Sequence, residues 1–192
     1  MRSLRSHCLS LLLASVALSS VGCLGFGGPL LPETDGGDDE ASESDSGTGS
    51  ETTEHPCGPT SGVVERVIDG DTMVLESGDR VRYILVNTPE ITDGKNECWG
   101  SQASDYNSMQ VLGRTVTIEY DQECRDQYGR LLGYVSVEDL EINRALLENG
   151  FACILHISPN GDSRLAEYQA LENEAKTAEI GMWGACATVS CD

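Results

Sequence analysis

Positive charge is scarce in this chain. Twelve Lys and Arg stand against 32 Asp and Glu in 192 residues, a formal net charge of -20 at pH 7. Residues 1–60 hold nine of the acids and two of the bases, which leaves residues 61–192 with a charge of -13. A field of that sign opposes the approach of a polyanion. It suits a protein that works in high salt, where screening shortens the field. Aromatic residues make up only 5%, which argues against a module that holds single strands on stacked rings. Beyond the N-terminus there is no apolar run long enough to cross a bilayer. No C-x-x-C pair or Cys/His spacing supports zinc, and no internal repeat is visible.

What is present begins with an export signal. Arg2 and Arg5 precede the apolar run from Leu9 to Leu18, and small residues lead to Cys23. Residues 1–22 read as a secretory signal peptide. The cysteine after Gly22 resembles the lipidation point of a lipoprotein, so Cys23 is the expected attachment site and the membrane an expected partner. Residues 23–60 hold acids, Ser, Thr and Gly with little that could bury, and are expected to form a disordered tether. Its Asp cluster lacks the spacing of a calcium loop that ends in a bidentate Glu. The expected location is exported, as a cell-surface lipoprotein or a secreted protein. Six cysteines follow Cys23: Cys57, Cys98, Cys124, Cys153, Cys186 and Cys191. An even number in an exported chain points to disulfides, whose pairing cannot be read from spacing.

Residues 61–192 read as one α+β domain. Strands are expected at Val63–Ile68, Thr72–Leu75, Arg80–Val86, 114–120 and 130–137, from β-branched alternation bounded by turn residues. Helices are expected at Ser101–Leu112, within 141–150, and over 162–181, the last capped by Asp162 or Ser163. Three strands, a helix, two strands and two helices suit a small closed five-stranded barrel of the OB type with three helices.

One stretch is too rich in polar chemistry for a plain hairpin. "VIDGDTMVLESGDRVRYILVNTPE", residues 67–90, opens on Asp69-Gly70-Asp71, carries Arg82 inside an apolar run, and ends on Asn87-Thr88-Pro89-Glu90. In a hairpin the start of one strand faces the end of the next, so the acids and the polar quartet are expected to meet. Together with "CWGSQAS", "DQYGRLLGYV", "INRALLENGFA" and "GMWGAC", this stretch resembles the staphylococcal-nuclease-like (thermonuclease) family over about residues 61–186. The resemblance implies an OB-type barrel and calcium-dependent hydrolysis of DNA and RNA. It implies that Asp71, Asn87 and the Thr88 carbonyl bind calcium, with Asp69 an acid behind them. It also implies that Arg82 and Arg130 grip the scissile phosphate and that Glu90 stands beside the attacking water. Asn87 departs from the family's second aspartate, which removes one negative charge from the metal site. After the second helix "ILHISPN" offers His156 where the family often has tyrosines.

These residue types suit the chemistry. A phosphodiester is anionic and resists water, so its hydrolysis needs charge neutralisation, an oriented nucleophile and stabilisation of developing charge. Calcium takes hard oxygen ligands, and guanidinium gives planar, permanently charged donors. Strand parity puts Arg82, Ile84 and Val86 on one face; by itself that does not bring Arg82 to the acids. The expected form is a monomeric nuclease acting on nucleic acid. The rival readings are a catalytically inactive OB-type binding module and a surface interaction protein.

Overall fold

In the sheet of the computed structural model, which describes residues 54–190, five strands close on themselves. They are β1 (Ser61–Val67), β2 (Thr72–Leu75), β3 (Arg80–Tyr83), β5 (Thr115–Glu119) and β6 (Leu131–Val137), with β4 (Leu85–Asn87) between β3 and β5 in the chain. β2 pairs antiparallel with β1 and with β3, while β1 pairs with β5 and β5 with β6. The circuit is completed by a parallel pairing of β3 with β6, Val81 opposite Leu131 and Arg82 opposite Leu132. This is the expected closed five-stranded barrel of the OB type, with three helices around it: α1 (Gly100–Val111), α2 (Ile142–Glu148) and α3 (Leu165–Thr177). A single further turn, α4 (Met182–Ala185), follows them, and β7 (Cys153–Leu155) pairs antiparallel with β4.

The alternation of β5 shows why it is a strand: Val116 and Ile118 are buried while Thr115, Thr117 and Glu119 are exposed. β2 is buried at all four positions, as suits a strand flanked on both sides in a closed barrel. The core joins Val64, Met73, Leu75, Val81, Tyr83 and Ile118 of the barrel to Ile142 and Leu146 of α2 and Tyr168 of α3.

Three expectations need correction. The stretch Arg80–Val86 is two strands: it breaks at Ile84, and Leu85 sits at φ 66°. The chain there leaves the pairing with β6 and takes up pairing with β7, so the break is a barrel corner. Neither Asp162 nor Ser163 caps α3; Arg164 precedes its first residue without a side-chain cap bond. Asp162 is spent instead on His156 Nε2, at 2.6 Å, and on the Ser158 hydroxyl, at 3.1 Å. Ordered structure also begins before residue 61. Glu54–His55 pairs with Gly58–Pro59, and Cys57 is bonded to Cys124. A second disulfide joins Cys98 to Cys186, and Cys153 is disulfide-bonded too. Cys191, the expected signal peptide, Cys23 and the expected tether up to residue 53 lie outside the described residues.

Candidate active site

The turn between β1 and β2 is closed by a backbone bond and by the Asp69 side chain. Ile68 N–H donates to the Thr72 carbonyl at 2.9 Å, and Asp71 N–H donates to Asp69 Oδ1 at 3.0 Å. Gly70 is required there by contact. A Cβ at this position would lie 2.6 Å from Thr88 Cγ2 and 2.8 Å from Ala103 Cβ. The turn can therefore press against the end of β4 and against α1. From α1, Asn107 Nδ2 donates to the Asp69 carbonyl at 3.1 Å, while its Oδ1 accepts from the Tyr83 hydroxyl at 2.9 Å.

Asp71 is 4% exposed and accepts from four groups. Oδ1 receives Arg82 Nε at 3.0 Å and the Thr72 hydroxyl at 3.0 Å. Oδ2 receives the Thr88 N–H at 2.8 Å and its hydroxyl at 3.1 Å. The start of β2 thus meets the end of β4, as the hairpin argument requires. Arg82 reaches Asp71 because it stands opposite Thr72 in the β2–β3 register. Its Nη1 donates to the carbonyls of Tyr83 and Val86, both at 2.6 Å, and Nη2 to Asn87 Oδ1 at 3.0 Å. The bend at Leu85 turns these carbonyls toward one guanidinium, which a straight strand would not do.

Glu90 lies past Pro89 in a loop. Its Oε1 accepts from Ile91 N–H at 3.0 Å, Thr92 N–H at 2.8 Å and the Thr92 hydroxyl at 2.5 Å. Partial burial raises its pKa, but these donors and the charge of Lys95 outweigh it and hold the carboxylate below its ordinary value. Oε2 receives no hydrogen bond among the described residues. Arg130, at the start of β6, is held at Nε by Asp126 Oδ2 at 2.6 Å, with its guanidinium 5.5 Å from the exposed Tyr128 ring. Burial pushes the Asp126 carboxyl up, but Arg130 and nearby N–H groups hold it below its ordinary value.

A single cavity of about 230 Å³ is lined by Asp69, Asp71, Arg82, Asn87, Thr88, Glu90, Arg130 and Leu155. It brings together all seven residues singled out in the domain, from positions 69 to 130. A larger cavity of about 290 Å³ shares Arg82, Arg130 and Leu155 with it and adds Leu85, Leu132 and Ile157. Strand alternation explains the lining after α2: Leu155 and Ile157 face this cavity, while His156 between them turns to Asp162.

The donor set is one of hard oxygens, which fits calcium or a similar cation. Burial, then the neighbouring Asp71 charge, push the Asp69 carboxyl up to about 7. Two crowded acids of this kind are what a divalent ion relieves. Among the described residues no three His, Cys, Asp or Glu side chains cluster as a ready metal site, so Asn87, backbone and water oxygens would have to complete the shell. Arg82 already holds both Asp71 and Asn87 and would share them with the ion.

Sequence reasoning passed over several supporting groups. The Thr72 and Thr92 hydroxyls, Asn107, Asp126 and the close approach at Gly70 all act on the predicted residues. Only Asp126, four positions before Arg130 in "DQYGR", and Thr92, two after Glu90, had a local spacing that could have shown them.

Comparison with known proteins places the chain among nucleases by sequence. Residues 80–185 match the family described as "Staphylococcal nuclease homologue". The chain is 36% identical over 127 residues to Endonuclease YncB of Bacillus subtilis, covering 62% of this chain and 60% of that protein. It is 35% identical over 126 residues to a Thermonuclease of Staphylococcus intermedius, covering 63% and 74%. An "Uncharacterized endonuclease" of Escherichia coli O157:H7 is 37% identical over 131 residues, covering 66% and 79%. The match thus spans less than two thirds of YncB and more than two thirds of the other two.

Proposed function

We propose that this chain, which belongs to the staphylococcal nuclease homologue family, is a calcium-dependent nuclease that hydrolyses DNA, RNA or both outside the cell membrane. The observation that carries the reading is the one cavity shared by two arginines, three carboxylates, Asn87 and Thr88. The names of the relatives support the reaction class. The expected export signal and Cys23 support action beyond the membrane on a lipid anchor.

Calcium, held by Asp71, Asn87 Oδ1 and the Thr88 carbonyl, would supply a Lewis acid that neutralises phosphate oxygens and lowers the pKa of a water. The chain's own groups do the rest. Glu90 is ionised at neutral pH and, among the described residues, has no hydrogen bond at Oε2, so it can orient a water and take its proton. Among the described residues Arg130 donates through Nε alone, to Asp126, which leaves its Nη donors for nonbridging oxygens of the phosphate. Arg82 has four of its five N–H groups engaged within the protein. It contributes a fixed positive charge and one remaining N–H. The apolar cavity beside the two arginines, with Leu85, Leu132 and Ile157, is placed to take the nucleoside next to the bond that is cut.

The test uses the purified chain with supercoiled plasmid and, separately, with single-stranded RNA, in calcium and then with chelator. Cleavage in calcium that stops on chelation is the expected result. Retarded migration without cleavage would make it a binding module. Neither would leave it a surface interaction protein.

A further inference from the structure

The loop that carries Glu90 is closed on itself and then tied to the far end of the domain. Glu90 N–H donates to Glu97 Oε2 at 2.8 Å, and Glu97 N–H donates back to the Glu90 carbonyl at 3.0 Å. Within that ring the Lys95 N–H donates to the Thr92 carbonyl at 2.9 Å. Thr92 is the residue whose hydroxyl and N–H both hold Glu90 Oε1. The tip, Asp93 to Asn96, is exposed at every position. No apolar side chain there anchors the loop by burial, so its position depends on where its ends are held.

The entrance is held by Pro89 and by Thr88 on Asp71. The exit is held covalently. Cys98 follows Glu97 directly and is bonded to Cys186, 88 positions on. Cys186 N–H donates to the carbonyl of the fully buried Met182 at 3.0 Å, and Met182 N–H donates to the Gly150 carbonyl at 2.9 Å. The disulfide therefore fastens an exposed loop to a buried anchor at the back of α2.

Resting on the assignment of Glu90 above, we propose that the Cys98–Cys186 disulfide is a positioning element for that residue: it holds the Glu90–Glu97 ring so that the carboxylate stays aimed into the cavity. Cys98 and Cys186 touch neither substrate nor ion; they act through Glu97 and the loop. Without the bond the ring can drift by an ångström or more while the barrel, held by its own core, stays folded.

The test is a double-mutant cycle on the intact chain, in four proteins: parent, Glu90→Gln, Cys98→Ala/Cys186→Ala, and the combination. For the disulfide-free protein kcat is expected to fall about 10- to 100-fold, the loss typical of a small misplacement of a reacting group. KM should change little, because both arginines lie elsewhere, and circular dichroism should be unchanged. The decisive readout is non-additivity. Glu90→Gln should cost much less in the disulfide-free background than in the parent. A kcat within threefold of the parent overturns the proposal, as does an equal Glu90→Gln cost in both backgrounds.

If Cys98→Ala/Cys186→Ala does not fold, the same cycle is run on folded parent and Glu90→Gln protein treated with a trialkylphosphine. The exposed Cys98 makes this bond accessible, and alkylation mapping identifies molecules opened only there. Full activity of those molecules rejects the proposal. If Glu90→Gln in the parent is itself fully active, the assignment of Glu90 fails and the positioning role falls with it. If Glu90→Gln is inactive and the disulfide-free protein is not impaired, only the positioning role fails.

Discussion

Arg82 and Arg130 carry the same charge but stand in the site differently. Arg82 is 8% exposed and spends itself on Asp71, two backbone carbonyls and Asn87. Among the described residues the Arg130 guanidinium donates a hydrogen bond only through Nε, to Asp126, beside the Tyr128 ring. Replacing either with Lys keeps the charge and loses the planar fork, so the outcomes should separate. Arg130→Lys is expected to lower kcat/KM on the order of 100-fold, as for loss of an oriented donor, with the melting temperature nearly unchanged. Arg82→Lys is expected to lose activity and also about 1–3 kcal/mol of stability, because buried carbonyls lose their donor. Steady-state kinetics beside urea unfolding distinguish the two; equal stability loss would contradict this account. Asn87 is the other telling residue. Asn87→Asp adds a charge facing the expected ion and should tighten calcium binding, since ligand charge tunes such sites. Its Oδ1 also accepts from Arg82, so a carboxylate would hold that guanidinium more firmly. Calorimetric titration at fixed salt checks the affinity, and equal or weaker binding would mean that position 87 does not serve the ion.

At the level of elements, the break between β3 and β4 is what makes the site. Leu85 at φ 66° turns the chain so that Val86 and Asn87 come round to Arg82. The corner is secured from α2 by Asn143, which is fully buried. Its Nδ2 donates to the Ile84 carbonyl at 2.9 Å and its Oδ1 accepts from the Val135 N–H at 2.9 Å. These are backbone groups that the strand break would otherwise leave unpaired. Asn143→Ala is therefore expected to cost roughly 2–4 kcal/mol, from unsatisfied buried groups on both sides. Denaturant unfolding measures it, and a loss below about 1 kcal/mol would mean that water replaces the amide. In sequence, "INRALLENG" shows a helix with an apolar face, and Asn143 reads there as an ordinary polar position. Its role depends on a strand about 60 positions away, which local periodicity cannot report.

For the whole domain, the charge of -13 over residues 61–192 sets how a polyanion approaches. Screening should first relieve both self-repulsion and repulsion of the substrate, and later weaken the local contacts of Arg82 and Arg130. Activity is expected to peak well above about 0.15 M salt, where the screening length has already fallen to roughly 8 Å. Initial rates against potassium chloride at saturating calcium, with circular dichroism at each point, test this. A rate that falls steadily from low salt with the fold intact would show that the acidic surface has no such influence.

The sequence by itself determined the classes of element and the list of polar groups that had to be explained. Its alternation, its Gly stops and the spacing of Asp71, Arg82, Asn87-Thr88 and Glu90 within about twenty residues are local quantities, and local sterics and periodicity read them directly. The hairpin geometry led to the expectation that the acids and the polar quartet meet, although the register itself sets Asp71 opposite Tyr83 and the bend at Leu85 is what brings Thr88 to it. Only the tertiary structure decided how Arg82 gathers its partners: the β2–β3 register sets it opposite Thr72 and so beside Asp71, and the left-handed bend at Leu85 brings Val86 and Asn87 round to its guanidinium. It also decided which cysteines pair, that Arg130 joins the cavity from β6, and that Leu155 and Ile157 rather than His156 face it. The place of Arg130 depends on barrel closure through the parallel β3–β6 pairing. That pairing joins segments about 50 positions apart, and a contact at such separation leaves no periodic trace in the chain.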